Sequence, residues 1–276
     1  MVFFTFDYRG LRHCHDYFPH QAYRCTASAC AGHIGCSALA TLAARRWGTV
    51  LGGILIGLPL ISGPISVFLA IENGAGFAVE TARGALAGTV ALAVFTCVYA
   101  AVCPKGWLKA SFLSVALYVL ASWIAAELPI SAVTLAVSAA AAIILSLWIM
   151  PVPHGAAVKH RPPKHDLLMR MGMMMVLMIA ITFLAPYIGP TASGIASTFP
   201  YMALTMAVFS QIQGGPDNAR RAMHGLMLGM YSGLVFNLVV WALAAEDRLL
   251  IAYAAATAAA LAAQGVVLAL TLKKTA

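Results

Sequence analysis

Apolar residues fill most of this chain in stretches of about 20, with no sustained two-residue alternation, and short polar or Gly/Pro-containing turns separate them. The stretches divide at about 48–70, 77–102, 107–126, 129–150, 167–186, 192–212, 221–245 and 249–271. The turns fall at Glu72–Gly76, Pro104–Gly106, Glu127–Pro129, Pro151–His165, Gly189–Pro190, Gly214–Asn218 and Glu246–Arg248. Each stretch is long enough to cross a hydrocarbon core of about 30 Å as a helix. Strands in lipid would need a closed barrel, and the alternating segments of a barrel are absent. The expected fold is all-α: a polytopic membrane protein with about eight transmembrane helices.

Composition agrees with that pattern. Of 276 residues, 62% are hydrophobic and 9% charged, against about a quarter charged in soluble domains. The net charge of +8 is spread over short clusters between spans and forms no basic face with interleaved aromatics, so nucleic acid is not an expected partner. The clusters report topology instead. Arg45, Arg46, Lys105, Lys109, Lys159, Arg161, Lys164, Arg170, Arg220, Arg221, Lys273 and Lys274 all fall on one side of the eight-span division. The other side keeps Arg83 and Arg248 beside Glu72, Glu80, Glu127, Glu246 and Asp247. The expected location is a bacterial inner membrane, multi-pass, with both ends in the cytoplasm and the lipid bilayer as the constant partner.

Residues 1–46 differ from the rest and are expected to form a disordered cytoplasmic extension, followed by a transmembrane domain over 47–276. The extension carries His13, Cys14, His15, Cys25, Cys30, His33 and Cys36, but their spacing follows no familiar zinc pattern, and no metal or other cofactor is expected. The methionines from Met169 to Met178 occupy all faces of a helix, which suits packing better than copper handling.

Two spans resemble each other. Arg83-Gly84-Ala85-Leu86-Ala87-Gly88, followed by Val94-Phe95 and Val98, aligns without a gap on His224-Gly225-Leu226-Met227-Leu228-Gly229, followed by Val235-Phe236 and Val239. The preceding spans are both broken, one by Ser62-Gly63-Pro64-Ile65-Ser66 and one by Gly189-Pro190-Thr191-Ala192-Ser193-Gly194 with Pro200 beyond. An offset of five crossings inverts the second copy. The reading is an inverted repeat, spans one to three (about 48–126) and six to eight (about 189–271), joined by spans at about 129–186.

Broken helices in such repeats expose backbone groups to a solute near the midplane. The candidate substrate site is therefore Ser62, Gly63, Pro64, Ser66, Thr191, Ser193, Thr198 and Pro200. Ionisable and amide groups at membrane depth need water, a partner or a function. Glu72, Glu80, Arg83, His224 and Asn237 are candidates for gating or ion coupling, with a Glu80–Arg83 ion pair as the plainer reading of Arg83. Thr96, Asn237 and Gln264 are expected to make hydrogen bonds between helices, and the Gly84/Gly88 and Gly225/Gly229 pairs to permit close helix approach. No HExxH, phosphate-cradling glycine loop or G-x-S-x-G element occurs, so catalysis is not expected. The expected function is secondary transport of a small solute, in a chain able to self-associate. The alternative is a non-transporting subunit or assembly factor of an envelope complex.

Overall fold

The computed structural model describes residues 50, 54, 67, 70, 74–128, 130–151, 153, 169, 172, 176, 199–245 and 248–275. Among these residues there is no strand, and five helices are long and apolar enough to cross a membrane. They are α1 (Ala75–Val102), α2 (Trp107–Glu127), α3 (Ala132–Ile149), α4 (Tyr201–Leu243) and α5 (Leu249–Thr275). Their limits follow the turn residues. Pro104, which has no N–H, ends α1 in a single 3-10 turn, Cys103–Lys105. Gly106, at φ 110°, then turns the chain into α2. The Ser131 hydroxyl oxygen accepts the Thr134 N–H at 3.2 Å and starts α3.

The expected separation between a sixth and a seventh span is reduced to one non-helical residue, Gly215, at φ 75° and ψ −178°, with Pro216 behind it. Without a fold, the 43 residues of α4 would extend about 65 Å, twice the thickness of a bilayer core. Instead Gln211, before the break, bonds to the Cys103 carbonyl just past α1, and Arg220, after it, to the Ala100 carbonyl in the last turn of α1. The chain therefore doubles back at Gly215, and both arms pack on α1.

α1 is the spine of the molecule. Ala78 and Ala82 join Phe236, Val240, Tyr253 and Ala256 in one cluster, and Leu86 joins Leu135, Ala139 and Leu234 in a second. Ala91 to Cys103 join Ala203–Val208 and Ala219–Met230 in the largest. Alanines are frequent at these contacts, as expected where close packing and not water exclusion holds helices together. The outer surface is apolar too: Phe112 is 79% exposed and Trp148 88%. Such surface is unfavourable in water and ordinary against lipid.

Most buried hydroxyls are satisfied within their own helix. Thr96 donates to the Leu92 carbonyl at 2.6 Å, Ser114 to Ala110 at 2.6 Å and Ser232 to Gly229 at 2.8 Å. The Asn237 amide does the same to Gly233 at 2.8 Å. Thr96 and Asn237 were expected to bond between helices; each instead closes on a carbonyl four residues back. Both Gln264 side-chain polar atoms are buried with no partner among the described residues.

Candidate functional site

The densest polar cluster among the described residues lies where the α4 break meets the end of α1. Pro104 is the cause. The last carbonyls of a helix have no partner of their own, and Pro104 removes the N–H that would have reached Ala100. Arg220 supplies the replacement, donating Nε to the Ala100 oxygen at 3.1 Å. Its Nη1 holds Asp217 Oδ1 at 3.0 Å, and the Cys103 thiol also reaches the Ala100 oxygen at 3.3 Å. The Tyr99 hydroxyl donates to Gln211 Oε1 at 2.9 Å, and Gln211 Nε2 donates to the Cys103 oxygen at 2.7 Å. A guanidinium at a helix C-terminus also faces the negative end of the helix dipole.

The break is thus bound to α1 from both arms. Tyr99 is fully buried and Gln211 9% exposed, so these bonds are shielded from water and an unpaired member would cost about 1–3 kcal/mol. Arg221 Nη1 donates to Asn218 Oδ1 at 3.3 Å on the same turn. Ahead of the break, α4 is buried on every side, from Ala203 through Gln211 without interruption. Only a helix enclosed by neighbours shows that pattern. Within this arm Thr205 bonds to the Tyr201 carbonyl at 2.8 Å, while the Ser210 hydroxyl, 4% exposed as a residue, has no partner among the described residues.

Of the residues expected from sequence, Ser62, Gly63, Pro64, Ser66, Glu72, Thr191, Ser193 and Thr198 lie outside the described residues. Pro200 is buried and precedes the first turn of α4, its carbonyl accepting the Leu204 N–H at 2.8 Å. Arg83 Nη1 sits 3.7 Å from Glu80 Oε2, the expected ion pair. Arg83 Nη2 also donates to the Ile130 carbonyl at 2.8 Å, which fastens the α2–α3 connection to α1. His224 lies toward the other end of the antiparallel pair, half-buried beside the Pro151 backbone, with Nε2 unpartnered among the described residues. Arg83 and His224 therefore lie toward opposite ends of the α1–α4 pair.

The glycine pairs differ. A side chain built on Gly225 would land on the Val50 backbone carbonyl, so the two backbones are in direct contact there. The position equivalent in the repeat, Gly84, faces open space.

The cluster of Tyr99, Cys103, Gln211, Asp217 and Arg220 escaped the sequence reading. The bonds that join α4 to α1 link residues more than a hundred positions apart, and of the cluster only the Asp217–Arg220 pair, one turn apart, has a local spacing. The one available signal was the polar run Gln211-Ile212-Gln213-Gly214-Gly215-Pro216-Asp217-Asn218, which reads as an ordinary turn between spans. No protein-family model, curated protein or solved structure matches this chain.

Proposed function

We propose that this chain is a small secondary transporter or permease of about eight spans, in a bacterial inner membrane with both ends cytoplasmic. The observation that carries the reading is the broken helix α4. Its first arm is enclosed on all faces and ends on the buried Tyr99–Gln211 bond, and the Ser210 hydroxyl beside that bond lacks a partner among the described residues. A buried polar group inside a membrane bundle needs a partner, water or a function, and solute sites are commonly built on such enclosed segments. The solute site in this reading is formed by Ser62, Gly63, Pro64 and Ser66 with Thr191, Ser193, Thr198 and Pro200, and Glu72, Glu80, Arg83, His224 and Asn237 act in gating or ion coupling.

Two observations support the inverted arrangement of spans one to three and six to eight. α1 and the second arm of α4 run antiparallel, with Ala100 beside Arg220 and Leu86 sharing a cluster with Leu234. Thr89 and its repeat equivalent Met230 then stand at one height, midway along α1, where a two-fold axis in the membrane plane would pass. The equivalent residues Thr96 and Asn237 also make the same bond, each to the carbonyl four residues back.

The hydrogen bonds that Tyr99, Gln211 and Arg220 make within the protein favour the competing reading, a structural subunit whose break is a packing feature. Single cysteines at Ser62, Ser66, Ser193 and Thr198, in a chain lacking its six native cysteines, separate the two. Transport predicts reaction with a water-soluble maleimide in native membranes, and a change of reactive side when the ion gradient is reversed. If all four stay inert while Lys105→Cys labels, the structural-subunit reading replaces this one.

A further inference from the structure

The exposed half of α2 is apolar along its length and carries one cation. Burial follows the helical period: Ala110, Ser114, Tyr118 and Ser122 face inward, whereas Phe112 (79% exposed), Leu113 (41%) and Leu120 (51%) face out. Lys109 is exposed at the head of that outer face, three and four residues before Phe112 and Leu113 and so directly above them. Side chains tilt toward the helix N-terminus, which carries the Lys109 ammonium away from the apolar stripe and toward the polar interface. Gly106, at φ 110°, brings Lys105 to the same end of α2, and Trp107, 40% exposed, lies between the two lysines in sequence. Among the described residues neither lysine has an ion-pair partner.

From this arrangement we infer that the foot of α2 is a binding site for one anionic phospholipid. Its headgroup phosphate lies between Lys105 and Lys109, and an acyl chain lies along Phe112, Leu113 and Leu120. The dimensions agree: Lys109 to Leu120 rises about 16 Å along the helix, close to half of a ~30 Å hydrocarbon core and hence to one leaflet. A second copy of the chain is a poorer occupant. A two-fold contact along the membrane normal would set Lys109 against Lys109 at one height, a like-charge juxtaposition. A zwitterionic lipid fits the stripe but does not neutralise two ammonium groups. The site is independent of whether the chain transports anything.

Native mass spectrometry of the full chain in detergent, titrated with phosphatidylglycerol or phosphatidylcholine of the same acyl chains, tests the inference. Each lysine beside an anionic surface contributes roughly fivefold, so the pair predicts about a thirtyfold preference for phosphatidylglycerol. K105Q/K109Q should reduce that preference to near unity, and K105R/K109R should keep it. The single variant K109Q, expected to lose about fivefold, serves if the double variant fails to fold. Equal binding of the two lipids by the unmodified chain overturns the inference, as does a preference unchanged in a folded lysine variant. Displacement by millimolar glycerol 3-phosphate would assign the lysines to a soluble anion and also overturn it.

Discussion

Arg220 compensates for a defect introduced by Pro104, and this makes its contribution measurable. Arg220→Ala removes the bond to the Ala100 carbonyl and the pair with Asp217. The expected loss is about 1.5–3 kcal/mol, the range for hydrogen bonds to charged groups, read from unfolding in mixed micelles. In a Pro104→Ala background an N–H returns near the orphaned carbonyls, and the cost of Arg220→Ala should fall by about 1 kcal/mol. Strict additivity would show that Arg220 does not stand in for the missing N–H. Arg83 offers a contrast, because its pair with Glu80 is long and half-exposed. Arg83→Gln should cost no more than about 1 kcal/mol through that pair. The ion pair was legible in the sequence because its residues are one helical turn apart. The bonds that tie Tyr99, Gln211 and Arg220 across α1 and α4 were not, since their partners lie more than a hundred residues apart.

At the scale of elements, glycines distinguish crossing from spacing. Gly225→Ala drives a methyl group into the Val50 backbone, which cannot rotate away, and should cost about 1–3 kcal/mol. Gly84→Ala meets open space and should be neutral or stabilising by up to about 1 kcal/mol. Equal effects in a thermal-shift comparison would contradict the close contact of Gly225 with the Val50 backbone. At the α4 break, Gly215→Ala imposes a left-handed backbone on a residue with a Cβ, for about 1–2 kcal/mol. Helix limits were readable where the turns Glu72–Gly76, Pro104–Gly106 and Glu127–Pro129 are strong local signals, whereas the Ser131 cap that starts α3 was not read. Which face of each helix points inward was not. Val133 and Val137 are exposed while Leu135 and Ala139 are buried, and lipid and protein interior are equally apolar solvents for all four.

For the whole molecule, α1 as spine and α4 as a folded-back, partly enclosed helix define what the chain can do in a bilayer. A bundle serving only as an anchor has no need of an arm enclosed on all faces that carries a buried hydroxyl without a partner among the described residues. The most direct test of solute passage lies at Thr205 and Ser210, which are 2% and 4% exposed and just ahead of the break. Each is replaced by cysteine in an otherwise cysteine-free chain, sealed vesicles of both orientations are prepared, and labelling rates with an impermeant maleimide are measured from each side. The transport account predicts that Ser210→Cys reacts, with the faster side switching when the proton or sodium gradient is reversed. Rates indistinguishable from an unlabelled control at both positions, from both sides and under both gradients, would contradict it.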